Sequence, residues 1–590
     1  MNKNIHPPKI PLLIIRILSG SYHKSAALGD LEEVYLFHRK EWGKSKADLW
    51  YWRQALRSIP HLIHNRVYWI TTMFKSYLTV TWRNIKRYKG YSFINIIGLA
   101  VGMACCLLII MYISDELSYD GFFENSNRIY RVNTISSIGA SKRSFAVVPS
   151  VFTPGIADSI PEIESAVRVM SMGSPRIDYN NTEYQLPHLI MADPAFFHIF
   201  SYQFIAGNPE ISLEKPGSIV ITEAIARIIF DNQDPIGKSI IPLIGGDAKP
   251  LEITGVIKEV PRNSQLQFSA VIPLTALQYM TGSSQPPDFL LDPYYCRLHG
   301  YFLFDKDINI TSMEKKINQT ADTKWGEIYA QRGTTREFFL MNIKDIHLFS
   351  PNEDEPPPKG DINNVYLFAA IALLVLLIAC FNFINLSTAR SANRAAEVSI
   401  RKVIGSQRSQ LINQFLSESI ILSFIGLVIS ILLVILVLPA FNLFVGKEIQ
   451  LKAMLNPNVF GGIIGIVILT GLVAGSFPAL ILSAFDPVRV LKGKFQSASR
   501  NYILRKTLVI FQFSISIFLI IGILTIIRQF DYIKNKDLGF GKEQIVVFNS
   551  FNPRTQVLRN KIRENPNVIL SCFSRNVPGV FRAYQGYNTS

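Results

Sequence analysis

Residues 91–122 read YSFINIIGLAVGMACCLLIIMYISDELSYDGF. From Phe93 to Ile113 this stretch holds no Asp, Glu, Lys or Arg. About twenty such residues, wound as a helix, cross a hydrocarbon core of roughly 30 Å. A single charge at the centre would cost about 2.5–3.5 kcal/mol on insertion scales, so a run this clean reads as a span in lipid rather than a soluble core helix. Asp115 and Glu116 follow at once and mark where the chain leaves the membrane.

Four more stretches have the same character: Val365 to Leu386, Ile420 to Asn442, Val459 to Ala484 and Thr507 to Ile527. They account for a chain that is 48% hydrophobic but only 18% charged, a balance that soluble domains rarely show. The net charge of +16 raises nucleic acid as a partner. The basic residues, however, sit beside the spans, as the cytoplasmic loops of a membrane protein require, so nucleic acid is set aside. Lys75, Arg83, Lys86, Arg87 and Lys89 precede the first span, Arg390 to Arg408 follow the second, and Arg489 to Lys506 lie between the fourth and fifth. Those segments are expected inside with the N-terminus, and the region between spans one and two outside.

The inserted region, 114–364, reads as an α+β extracytoplasmic domain. Strand-like runs are Arg128 to Val132, Ser218 to Thr222, Glu252 to Lys258, Gln267 to Leu274 and Tyr301 to Phe304, and Glu223 to Phe230 looks helical. SPNEDEPPPKGDINN, 350–364, resists regular structure and is expected to be a short stiff return to the membrane. Ahead of the first span, residues 1–66 form a basic, aromatic preface whose amphipathic helices end at Pro60, and 67–92 suits an amphipathic helix in the membrane interface. The order of polar flank, span, polar exit and strand-like run recurs from Asn501 to Phe548, so 528–590 is expected to begin a second outer domain, apparently truncated.

Catalytic chemistry is not found in the pattern. DPIGKSI contains Gly237, Lys238 and Ser239, but Asn232 stands where a phosphate-binding loop needs its first glycine. Glu543 spoils the pair Gly541 and Lys542 in the same way. Paired cysteines, a zinc-protease motif and a nucleophile elbow are missing, His61 and His64 read as a surface pair, and Cys296 and Cys572 read as lone thiols. The spans lack the ionisable residues of an ion-coupled carrier. They do carry small-residue spacing, Gly98 with Gly102, Gly461 with Gly465 and Gly471 with Gly475, suited to close helix packing. Asn95, Asn382, Asn385 and Gln512 suit bonds between helices or a pathway lining.

Between spans two and three, residues 387–419 read STARSANRAAEVSIRKVIGSQRSQLINQFLSES. Val398, Ile400, Val403 and Ile404 alternate with Glu397, Arg401 and Lys402, then Gly405 interrupts before an amphipathic helix through Leu411 and Phe415. Such a segment either docks in a groove of a partner or is a solvated basic loop.

This segment resembles the loop after the second span of the MacB/FtsX-like ABC transporter permeases. So do Tyr91 to Phe122 (that family's first span), SIVITEAIARIIFDNQDPIGKSI at 218–240 (its periplasmic core domain) and GSFPALILSAFDPVRVLKG at 475–493 (the exit of its fourth span). The resemblance covers Met73 to about Phe548, and GDLEE and YWRQALRS in the preface are similar to a permease-prefix domain. It implies a homodimer or pseudo-dimer in a bacterial inner membrane that binds a separate ATPase and no cofactor of its own. ATP-driven helix movement would be relayed to the outer domain, a mechanism called mechanotransmission, for export of a peptide, lipid-linked molecule or drug. A periplasmic adaptor is a further implied partner. A regulator of a cell-wall hydrolase, FtsX-like, and an inactive fragment remain as alternatives. By position, Glu397, Arg401, Lys402 and Gly405 would belong to the ATPase-facing segment.

Overall fold

A computed structural model describes residues 7–18, 26–138, 141–231, 233–243, 249–277, 288–352, 355–389, 391–484, 498–537, 545–546 and 555–572. The chain divides into a unit of Met1–Ser516 and a smaller one of Ile517–Ser590. Five helices are long and apolar enough to cross a membrane: Lys89–Glu116, Ile362–Ala389, Arg408–Val445, Pro457–Ala484 and Arg505–Asn535, the last within the helix Ala498–Asn535. Each outruns its apolar stretch because the polar flanks continue the same helix. At the third span the expected amphipathic helix and the span are one helix of 38 residues. It opens with a capping box in which the Gln407 backbone N–H donates to Gln410 Oε1 at 3.0 Å. It closes at Gly446, left-handed at φ 67°, whose N–H bonds to the Asn442 carbonyl.

Within the larger unit the first-span helix packs on the second and third, and the third packs on the fourth. Leu99, Met103, Cys106, Leu376, Cys380, Phe383, Leu422, Val467 and Ala474 form the buried seam. Small residues let these backbones approach. A Cβ at Gly102 would lie 2.7 Å from Ala379 Cβ, one at Gly98 3.2 Å from Asn382 Nδ2, one at Gly471 2.7 Å from Ile420 Cγ1 and one at Gly475 2.8 Å from Ser419 Cβ. Gly426, which the sequence pattern does not single out, sits against Met103 in the same way, whereas Gly461 and Gly465 meet nothing within 4 Å.

The inserted domain is a mixed α/β fold on one sheet. Strand Ile129–Ile138 runs antiparallel between Thr334–Asn342 and Cys296–Phe304, with Val132 opposite both Leu340 and Gly300. Beyond Cys296–Phe304 follow Ile163–Gly173, Leu189–Ala192, Ala270–Pro273, Ser218–Thr222 and Leu251–Ile257. Ser218–Thr222 is buried at all five positions, the pattern of a strand covered on both faces. Ile219 and Ile221 enter one core, with Ile225, Ile229 and Phe230 of the helix Glu223–Phe230. Val220 enters the other, with Phe196, Phe200 and Tyr301. Ser218–Thr222 occurs with the expected ends and the other expected strands with shifted ones: the run at 267–274 contracts to Ala270–Pro273 and that at 128–132 extends to Ile138.

One expectation needs correcting and another gains detail. The described residues of the return segment up to Asp361 lack regular structure, and they are also held to the domain. Glu355 is buried and accepts two hydrogen bonds of 2.6 Å from the buried Arg131, Gln265 Nε2 donates to the Pro356 carbonyl at 2.7 Å, and Lys359 Nζ to that of Asn352 at 3.1 Å. It is a strap bound onto the domain. At the N-terminus, helices Lys9–Leu18, Ala26–Trp42 and Lys44–Arg87 pack around Ile15, Tyr35, Ala47, Tyr51 and Ala55, and the third runs straight through Pro60. Proline removes one donor, the one the Leu56 carbonyl would use, and both residues lie on an exposed side where that loss is tolerated. The break comes at Tyr88 (φ −125°, ψ 57°), dividing 67–92 between this helix and the first span. Of the repeat expected near the C-terminus, Ile545 and Val546 lack regular structure, and Phe548 lies outside the described residues.

Candidate functional site

The segment between the second and third spans folds into the helix Ser391–Val403, a turn at Gly405, and the start of the third-span helix. Gly405 has φ 105°, a conformation closed to most side chains, and the turn is fastened by the Ser406 N–H to the Arg401 carbonyl at 3.0 Å. One face of the short helix is seated: Val398 is buried with Leu411, Phe415, Ala479 and Leu482, and Ala395 and Ser399 are fully buried. The other face is open, with Ile400 52%, Val403 67% and Ile404 81% exposed.

The charges lie mainly between these faces. Arg401 donates to Glu397 at 2.6 Å and to Gln414 at 2.7 Å, which ties the short helix to the long one. Arg394 clasps Glu418 through two bonds of 2.7 and 3.0 Å, and Asn84 Nδ2 donates to the same carboxylate at 3.2 Å. Lys402 is half-buried. The expected residues Glu397, Arg401, Lys402 and Gly405 are therefore together. Glu397 and Arg401 are occupied with each other, so the apolar triplet is the more prominent open feature. Sequence alternation marked all four apolar residues, and only the fold separates Val398 from Ile400, Val403 and Ile404.

At the other end of the bundle a second cluster joins spans to domain. Lys447, in the loop after the third span, lies 2.5 Å from Asp115 Oδ2 and 2.6 Å from Glu116 Oε1 at the end of the first. His347 Nε2, from the domain helix Ile343–Phe349, is 2.9 Å from Glu116 Oε2, and its Nδ1 is 3.1 Å from the Pro358 carbonyl of the strap. Tyr119 stacks on the imidazole at 3.4 Å. Gly360 is required there, since a Cβ would come within 2.7 Å of His347 Nε2 and 2.8 Å of Glu116 Oε2. The sequence marked Asp115 and Glu116 only as the acidic exit of the first span, and singled out none of Tyr119, His347, Gly360 and Lys447.

The phosphate-loop fragment has the wrong setting. Gly237 (φ 76°) leads into the strand Ser239–Pro242 rather than a helix, and Lys238 donates to Gln233 at 2.7 Å and lies over the Phe230 ring. Gly541 and Lys542 lie outside the described residues. Among the membrane amides, Asn385 Nδ2 donates to Gln512 at 3.3 Å.

Comparison with known proteins finds two family matches. A MacB-like periplasmic core domain covers residues 92–320 and an FtsX-like permease C-terminal domain covers 369–487. The macrolide export ATP-binding/permease protein MacB of Aggregatibacter actinomycetemcomitans is 24% identical over 220 residues, 36% of this chain and 29% of that protein. The ABC transporter permease YknZ of Bacillus subtilis (strain 168) is 20% identical over 432 residues, 69% of this chain and 96% of that one. The chain thus spans under a third of the MacB relative's length and nearly all of YknZ's. Among solved structures, a permease-protein domain from Porphyromonas gingivalis aligns over 42% of this chain and 98% of its own, at 20% identity and a TM-score of 0.32. The periplasmic region of MacB from Actinobacillus actinomycetemcomitans aligns over 37% and 90%, at 15% identity and a TM-score of 0.26.

Proposed function

We propose, on the premise that this chain belongs to the MacB/FtsX-like family of ABC transporter permeases, that it is a permease subunit of a bacterial inner membrane whose segment 391–419 receives a separate ATPase. ATP is consumed on that partner. Its stroke shifts the short helix, the long third-span helix carries the shift across the bilayer, and the outer domain changes its posture. The work serves export of a peptide, lipid-linked molecule or drug, with a second permease completing the dimer and a periplasmic adaptor on the outer face.

The observation that carries this reading is the two-sided helix Ser391–Val403. Val398 fixes it to the bundle while Ile400, Val403 and Ile404 stand out from the end opposite the β-domain. Exposed apolar side chains on a rigid mount next to charged ones suit a helix seated in a partner's groove. Arg401, bonded to Gln414 of the third-span helix, gives a push on that helix a rigid path.

The test is co-expression with each ABC ATPase of the host followed by co-purification. Val403→Asp with Ile404→Asp should reduce ATPase capture at least tenfold while membrane insertion stays normal, and the Glu397→Arg, Arg401→Glu exchange should leave a smaller loss. Equal capture by wild type and the double aspartate variant would remove this segment as the docking site.

A further inference from the structure

The helix Lys44–Arg87 poses a physical problem in its second half. Between Pro60 and Val80 every described side chain is at least partly exposed, and beyond Leu62, which packs on the N-terminal cluster, none of the described ones is buried by protein. Its sequence, rich in Val, Thr, Ile, Trp, Tyr and Phe from Val67 to Thr81, is a poor helix former. A helical stretch of that length and composition is marginal in water without a covering surface.

The charge pattern says what covers it. From Leu49 to Ser114 the chain contains neither Asp nor Glu, while Arg53, Arg57, Arg66, Lys75, Arg83, Lys86, Arg87 and Lys89 all fall within it. Lys75, Arg83, Lys86 and Arg87 are exposed, Lys86 Nζ stands 5.5 Å over the ring of Trp82, and Trp82 is itself 57% exposed. A row at four-residue spacing, Ile85, Thr81, Tyr77 and Met73, starts against the bundle core, where Thr81 is buried, and runs out to Met73, which is exposed. Near the C-terminal end of this helix Asn84 is bonded to Glu418, which is already neutralised by Arg394. An apolar row leaving a membrane bundle, flanked by basic and aromatic residues with no acidic ones, matches the headgroup layer of an anionic leaflet.

We propose that residues 67–89 lie in that layer and bind anionic phospholipid headgroups, with Arg83, Lys86 and Arg87 as the phosphate contacts and Trp82 at the acyl boundary. The assignment does not depend on the ATPase partner. It makes the helix a surface strut with the N-terminal cluster at one end and Asn84, bonded to Glu418, near the other.

Hydrogen exchange of the full chain in phosphatidylcholine nanodiscs, with and without phosphatidylglycerol, tests this directly. Each basic residue near such a surface is worth about fivefold, so amides of 67–80 should exchange on the order of a hundredfold faster when the anionic lipid is left out. The Arg83→Gln, Lys86→Gln, Arg87→Gln variant in anionic discs should behave as wild type does in neutral ones. Arg83→Lys with Arg87→Lys should keep the protection, and Lys44→Gln with Lys46→Gln should not change it. If the triple variant fails to insert, raised salt on the wild type provides the same loss by screening. Equal exchange in both lipids would overturn the proposal. So would protection that arises only at two chains per disc or on adding an ATPase, since the cover would then be protein.

Discussion

His347 Nε2 lies 2.9 Å from Glu116 Oε2, with both side chains almost fully buried, 231 positions apart in the chain. The contact fastens the last helix of the outer domain to the end of the first span. Lys447 takes the other oxygen of the same carboxylate, so the loop after the third span meets both at one point. Under the proposed relay, this is where the third span would push on the domain.

Removing the cation from that point should be costly. Lys447→Met leaves Asp115 and the buried Glu116 side by side with only the His347 contact to offset them, for which a loss of about 3 kcal/mol is expected. Lys447→Arg should keep most of the stability, and His347→Gln, which retains a donor toward Glu116, should lose only about 1–2 kcal/mol. Thermal unfolding of the detergent-solubilised chain reads all three. A Lys447→Met variant as stable as wild type would show that the cluster carries no strain between domain and spans.

Close packing of the spans gives a paired prediction. Gly102→Ala puts a methyl 2.7 Å from Ala379 Cβ, nearer than real carbons stand, so the first and second helices must part at a cost of about 1–3 kcal/mol. Gly461→Ala meets nothing and should be neutral or stabilising by up to about 1 kcal/mol from helix propensity. Unfolding in detergent compares the two, and the pair fails as an argument if both variants shift stability alike.

What was legible in the sequence follows from the range of the forces involved. The five spans could be read because lipid excludes charge over a continuous run, and a strand such as Ser218–Thr222 because burial on both faces leaves an unbroken apolar word. The glycine at 405 announced a turn. Pro60 misled, because a proline reads as a stop unless its neighbours are known to be exposed. The cluster of Glu116, His347 and Lys447 was beyond reading, since nothing local tells a histidine that its partner lies on another element. The anchoring of the strap was missed for the same reason: NEDEPPP, 352–358, speaks for irregular backbone, which is correct, but is silent about Arg131.

Asp120 offers a pH prediction with a definite sign. Burial pushes its carboxyl up to about 6, against which the Ser264 hydroxyl at 2.7 Å and the Gln265 N–H at 3.1 Å only partly stabilise the charge. The folded pKa stands above the unfolded value of 3.8, so the native state holds the extra proton between them. Stability from this group therefore falls as pH rises from about 4 to about 6 and is flat above, with a span of roughly 3 kcal/mol. Asp120→Asn removes the titration, and asparagine suits the left-handed φ of 52°. The melting difference between wild type and variant should move against wild type over that pH range and nowhere above pH 7; a difference independent of pH would contradict the assignment.

Arg131 and Glu355 decide whether the strap holds. Burial alone would raise the Glu355 carboxyl, and the guanidinium more than reverses this, leaving it below the usual range. Both side chains are essentially inaccessible, so neither can turn to solvent when its partner is lost. Arg131→Met should cost about 3–5 kcal/mol, because a carboxylate is left buried and unpaired, whereas Arg131→Met with Glu355→Leu should recover most of it by replacing the charged pair with apolar packing. Limited proteolysis at 350–360 should follow the same order, with the single variant cut soonest, since Glu355 then keeps only Ser350 and Asn352, both on the strap itself. If the double variant were as fragile as the single one, the pair would be fixing the strap by geometry rather than by compensating charge, and the domain's return to the membrane would need the ion pair itself.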